Sequence, residues 1–315
     1  MDTFTPLFSF TCFYGILTFA VYTMTMVMIH RKPGSFGGSF FVLYKANFYI
    51  NLVTFVNSFI PLRIPQNTCK NCTLSYLFEA HSETNYSSFP LGVFYCVMVT
   101  MAFIQYSMIF LISLNRFTMF FYLHENDKRW KTVIPVVLLV IVIGPISQTY
   151  TIVTSKTYYK YLDSLGGYKT FTYANIALIV KSVLVYMIIT TVASAVLNIY
   201  STIHVRKMNK NVRKNERTLL SMTLVSFSIQ LIAFIDMMAL QFFDPTSYTY
   251  SIIQFFMPFV SDALTLSQPW ILIAFSSLTR AELHRLLIGK LFKDVGVFTI
   301  RSDLQNSRGG ATITL

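Results

Sequence analysis

Apolar residues in this chain run on in long blocks instead of alternating or returning on one face of a helix. Seven such blocks occur, at about residues 7–29, 40–62, 91–114, 133–153, 173–200, 219–243 and 253–277. Each is long enough to meet the ~20 apolar residues that a membrane-crossing helix requires. The predicted fold class is therefore an all-α membrane protein, a seven-transmembrane helix bundle. The first block, Leu7 to Ile29, carries no charge and is followed at once by His30, Arg31 and Lys32. It exceeds the apolar core of a signal peptide, so it is expected to stay as a span. Pro33-Gly34 and Gly37-Gly38 break the chain after it, Pro61 and Pro65 are expected to close the second span, and Asp244-Pro245 ends the sixth. The expected organisation is a receptor-sized bundle over 1–293, with a short amphipathic helix at about 280–292, and a tail over 294–315. In that helix Leu283, Leu286, Leu287 and Leu291 share one face, as in a helix lying on a membrane surface.

Composition and charge agree with this pattern. Of 315 residues, 54% are hydrophobic and only 12% charged, against about 25% charged in an ordinary soluble domain. The mean hydropathy is +0.55. The formal charge of +12 would raise the question of nucleic acid in a soluble protein. Here the Lys and Arg residues divide eighteen to five between the two sets of loops. The richer set includes Arg31 and Lys32, Arg116 to Lys131, Arg206 to Arg217, and the tail. The poorer set is Arg63, Lys70, Lys156, Lys160 and Lys169. The positive-inside rule then puts the N-terminus outside and the C-terminus in the cytoplasm. The excess charge becomes a matter of topology and lipid-bilayer attraction, with no nucleic acid called for. Two glycosylation sequons, at Asn71 and Asn85, fall in the loop 63–89 that this orientation places outside.

Two motifs carry candidate chemistry. Asn115, Arg116 and Phe117 stand at the cytoplasmic mouth of the third span. An Arg there either snorkels to the headgroups or acts as a switch that changes partners when helices move. The seventh span reads Ser261-Asp262-Ala263-Leu264-Thr265-Leu266-Ser267-Gln268-Pro269-Trp270. Pro269 frees a backbone carbonyl and bends the helix. Asp262, Thr265 and Pro269 recur at i, i+3 and i+7 on one face. A carboxylate in lipid costs about 2.5–3.5 kcal/mol on insertion scales, so Asp262 should face the bundle interior. The second span also carries a polar stripe, Asn47, Asn51, Thr54 and Ser58, expected to serve interhelical packing.

With an Asn-Arg-Phe at the base of span three, these span-seven residues, and Arg280 soon after, the chain resembles the nematode serpentine chemoreceptors. The nearest groups in pattern are class gamma and its relative, the Srv class. The resemblance implies a G-protein-coupled receptor fold and a chemosensory role. It also implies a heterotrimeric G protein as partner and a place in the plasma membrane, including the sensory cilium. The ligand, a small molecule or peptide, would be read by the outer half of the bundle and by loops 63–89 and 154–172. The chain departs from rhodopsin-like receptors where it has Asn115 in place of an acid and Leu272 in place of a Tyr after the proline. Span seven has no Lys, which excludes a retinal Schiff base there. No cofactor and no metal ion is called for. The alternative to a receptor is a multi-span transporter or channel, and an enzyme is not expected.

The sequence leaves two pairings open. In many receptors the outer end of span three is tied by a disulfide to the second external loop. Here that loop has no Cys, so Cys96 is expected to bond Cys69 or Cys72. The alternative is a buried free Cys96, with Cys69 and Cys72 free or paired to each other. Lys181, Asp236 and Asp262 lie at similar depth, roughly 8, 8 and 5 Å outward of their span centres at about 1.5 Å per residue. Lys181 is expected to pair with Asp236 or Asp262, leaving the other carboxylate protonated or facing a ligand. The alternative is a Lys181 that snorkels outward alone and an Asp236 wetted at the interface.

Overall fold

The computed structural model describes residues 6–34, 36–84, 89–121, 123–163, 166–207, 210–243 and 247–294. Its long helices are α1 (Pro6–Arg31), α2 (Ser39–Ser58), α5 (Leu91–Phe121), α6 (Leu123–Thr154), α7 (Ile176–Lys207), α8 (Lys210–Phe242), α9 (Tyr248–Phe275) and α10 (Ser277–Asp294). Six of these, α1, α2 with its extension, α5, α6, α7 and α8, are long and apolar enough to cross a membrane. The helix α9, 28 residues long, packs in the same bundle against α1, α2 and α8. Its Asp, Gln, Ser and Thr residues dilute its apolar character.

The helix α5 is the axis of the bundle: it packs against α2, α6, α7 and α8. Of its apolar stretch 61% is buried, against 11% for α6, which lies at the periphery. The apolar side chains left outside are many, among them Ile16, Val136, Leu139, Ile189 and Ile199. In water such surface would be a liability, and in lipid it is the solvent-matched face. A bilayer gives apolar residues little reason to leave it, so close packing and polar contacts must hold the helices together. The main core does the first, with Tyr22, Tyr44, Phe48, Met108, Ile112, Ile134, Met222 and Leu272 drawn from α1, α2, α5, α6, α8 and α9.

Span two does not stop at its prolines. The helix runs on from Ser58 through a π-helical turn at Phe59–Arg63 and into α3 (Ile64–Gln66). The Ile64 N–H bonds Phe59 O, five residues back, which marks the turn as wide. Pro65 has no N–H to donate, so carbonyls in this turn need other partners. The loop 154–172 supplies them. It folds as an antiparallel hairpin of β1 (Thr157–Leu162) and β2 (Gly167–Thr172), closed by Gly166 at φ 63°. Tyr159 donates its hydroxyl to Ile60 O at 3.0 Å and Thr170 donates to Pro61 O at 2.6 Å. The short helix α4 (Ser75–Glu79) closes the other side, its Phe78 against Tyr159 and Tyr168. Burial, with Glu79 accepting its phenol proton at 3.1 Å, pushes Tyr168 up to about 12.

Candidate functional site

At the end of the bundle that carries the β1–β2 hairpin, the π-helical turn brings Arg63 inward, and there it meets Asp262 of α9. The guanidinium forks onto the carboxylate: Nη1 donates to Oδ2 at 3.1 Å and Nη2 donates to Oδ1. The remaining Nε donates to Ser58 Oγ at 2.6 Å. Tyr14 of α1 donates its hydroxyl to Asp262 Oδ2. The rings of Phe55 and Phe59 flank the guanidinium, their centroids 4.8 and 5.4 Å from its carbon. Arg63 is 4% exposed and Asp262 5%. A bidentate, hydrogen-bonded and ring-flanked pair is the arrangement in which a buried ion pair offsets its own desolvation. One constellation thus ties α1, α2 and α9 together.

A second polar layer lies one turn deeper. Gln105 of α5 donates to Thr265 Oγ1 of α9 at 3.0 Å and to Asn51 Oδ1 of α2 at 3.4 Å. Thr265 itself returns a bond to Ser261 O at 2.7 Å. Gln268 donates to Ser226 Oγ of α8 at 3.2 Å, and Trp270 donates to Thr18 Oγ1 of α1 at 3.2 Å. The span-seven motif is therefore divided by face. Asp262, Thr265, Gln268 and Pro269 point into the bundle, while Trp270 is 45% exposed.

At the base, α5 continues past residue 117, so Asn115 and Arg116 lie within a helix and not at its end. Asn115 is fully buried and donates to Ser39 Oγ at 2.9 Å. Arg116, 3% exposed, donates to Asn115 Oδ1 at 2.9 Å and lies over the Phe40 ring, 4.9 Å from its centroid. Ser39 opens α2, and its backbone N–H, one of the orphan donors of a helix start, is taken by Asp127 Oδ1 of α6 at 2.7 Å. Lys131 holds the other oxygen of Asp127 at 2.6 Å. Phe117 packs edge-on to Tyr200 of α7. Arg280 of α10 donates to the last carbonyls of α9, Ile273 O and Ala274 O, at 2.9 and 2.6 Å.

A family model described as the Srg family chemoreceptor matches residues 8–283, most of the chain and all of the bundle just described. The chain belongs to the Srg family of chemoreceptors. It is also 30% identical over 282 residues to serpentine receptor class gamma-31 of Caenorhabditis elegans, a match covering 87% of this chain and 90% of that protein. Srg proteins are multi-span membrane receptors and not enzymes.

For this Srg receptor the structure revises two expectations. Asp262 does pair with a cation, but with Arg63, not with Lys181. The Lys181 side chain is exposed on the outside of α7, and Asp236 is half-buried. Arg63 was out of view because Pro61 and Pro65 read as the end of span two, which left it in a loop. An acid buried on span seven with no basic residue on its own face was the signal that pointed to a partner elsewhere. Second, Cys69 and Cys72 bond each other, and Cys96 is a buried free thiol that donates to Thr149 Oγ1 at 3.3 Å. The polar stripe of span two does take part in interhelical hydrogen bonding, as expected, with Asn51 accepting from Gln105 of α5, while Ser58 accepts from Arg63. Asn71 lies between the two cysteines of the Cys69–Cys72 disulfide, and Asn85 falls outside the described residues.

Proposed function

We propose that this Srg protein is a seven-span receptor, with the N-terminus outside and the C-terminus in the cytoplasm, that couples an external chemical to a cytosolic heterotrimeric G protein. Srg receptors are seven-span proteins, and α9 serves here as the seventh. The external chemical is read in the outer half of the bundle, under the hairpin and near the Arg63–Asp262 pair. The observation that carries the coupling reading is the buried Asn115–Arg116 knot. It binds the base of α5 to the first residues of α2, and through them to α6. Such a knot gives the base of the bundle a closed state, and its release gives an open one, the two-state element that signalling requires. The amphipathic α10, whose Leu283 and Leu286 pack on the main core, and the basic residues at the end of α7 and the start of α8 frame the same end.

The test is nucleotide exchange on a purified heterotrimeric G protein, with the receptor in lipid and no added ligand, so that basal activity is the readout. Arg116→Ala removes the residue that takes a new partner in the open state, and it is expected to reach the membrane in normal amount and to lower basal exchange roughly tenfold, the equivalent of about 1.4 kcal/mol. Ser39→Ala removes the acceptor of Asn115 and is expected to raise it. A receptor that promotes no exchange with any G-protein class would favour the transporter alternative.

A further inference from the structure

The cytoplasmic halves of α7 and α8 part on the side that faces the bilayer. The gap is a groove of about 320 Å³ lined by Ala195, Ile199, Ile203 and Arg206 of α7 and by Leu224 and Phe227 of α8. It opens outward: Ile199 is 60% and Ile203 47% exposed. Its floor is shut toward the bundle interior by Asn198, which is buried and donates to Ser113 Oγ of α5 at 3.2 Å. A molecule in the groove therefore comes from the membrane and not through the receptor.

Length and charge say which molecule. From Ala195 to Arg206 is eleven residues, about 16 Å at ~1.5 Å per residue. Half of the ~30 Å hydrocarbon core is about 15 Å. With Arg206 at the headgroup level, Ala195 therefore reaches the bilayer midplane, and the groove is one leaflet long. Among the described residues the ion pairs are Lys32–Glu282, Arg63–Asp262 and Lys131–Asp127, and Arg206 is in none of them. A guanidinium presents a donor fork that fits a phosphate. An apolar channel one leaflet deep that leads away from an unpaired guanidinium complements a lipid with a phosphate head and an alkyl chain.

We propose that the α7–α8 groove is a binding site for an anionic glycerophospholipid of the cytoplasmic leaflet. Its phosphate lies on Arg206 and one acyl chain runs over Ile203, Ile199, Leu224 and Phe227. The choice of leaflet rests on the orientation given above, and the site itself does not. Because the chain lies between the two helices, its presence sets how far their cytoplasmic ends can close on each other.

Native mass spectrometry of the full-length receptor tests this. The protein is purified in micelles carrying equal amounts of phosphatidylglycerol and phosphatidylcholine with the same acyl chains. The parent should retain phosphatidylglycerol over phosphatidylcholine by about tenfold. Arg206→Gln should bring the two to parity. Ile203→Trp, which fills the groove without touching the charge, should release both. Lys207→Gln, one residue outside the groove lining, should keep the parent's preference. Equal retention of the two lipids by the parent overturns the proposal, and so does an undiminished preference in Ile203→Trp. Should Arg206→Gln not purify as a folded protein, the Ile203→Trp result decides. No G protein enters this measurement, so its failure and a failure of the coupling assay are separate results.

Discussion

Asp262 shows how a single residue's surroundings decide its meaning. Its carboxylate takes two guanidinium bonds and a phenol bond in a place with almost no exposure. Removing one member of a buried pair leaves the other charged and unpaired, a loss of about 3–5 kcal/mol. Asp262→Asn and Arg63→Gln should each lower the thermal stability of the purified receptor by roughly that much. The double variant Arg63→Met with Asp262→Leu should recover most of it, because neither charge is then stranded. If the single variants unfold at the parent's temperature, the pair is not what holds α1, α2 and α9 together. Tyr14→Phe, which removes one neutral donor, should cost only about 1 kcal/mol in the same assay.

Among the elements, the β1–β2 hairpin supports the turn that carries Arg63. Its two hydroxyls hold the carbonyls of Ile60 and Pro61, and those carbonyls belong to the turn that presents Arg63. Docking also requires Gly167, because a Cβ there would collide with the backbone of Gln66. Gly167→Ala should lift the hairpin from α3 and speed amide hydrogen exchange in β1 and β2 by at least about tenfold, leaving exchange in α5 unchanged. Unchanged exchange in β1 and β2 would mean that the hairpin does not depend on this contact. The hairpin was not legible in the sequence. Thr157 to Leu162 and Gly167 to Thr172 are rich in Tyr and Thr, as strands are. In a chain of apolar blocks, though, that segment read only as a polar connection. The spans themselves were legible because a bilayer demands about twenty apolar residues whatever the neighbours are. The contacts between spans were not, since they depend on which faces meet. Asp262 showed in the sequence that it needed company, but only three dimensions could supply Arg63, 199 positions away in the chain.

For the whole molecule, orientation is the property on which the rest depends. In the orientation proposed above, the Asn115–Arg116 knot and α10 lie on the cytosolic side and the Cys69–Cys72 loop outside. Epitope tags at the two termini should respond oppositely to protease added to intact cells, with the N-terminal tag cleaved and the C-terminal tag protected. Equal protection of both would contradict an odd number of spans. Asn71→Gln should shift the electrophoretic mobility of the protein if that sequon is glycosylated, which would place its loop in the lumen or outside by an independent route. The base of the bundle was partly legible. Asn115 and Arg116 stood out in the sequence, while Ser39 and Asp127, which complete the knot, gave no signal as ordinary residues at helix starts.

The wide turn at Phe59–Arg63 has a bearing on how this receptor is compared with its relatives. A π-helical turn holds one residue more than the α-helical turn it replaces, and one residue is about 100° of rotation. Everything beyond Arg63 in this helix therefore faces a direction that ordinary helical phasing from Asn47 or Asn51 would assign to its neighbour. A relative lacking the extra residue would match this chain letter for letter up to Ser58 and then present a different set of side chains to the bundle. Substitutions in the segment beyond Arg63 should be compared by the direction they face, with the count restarted after the turn.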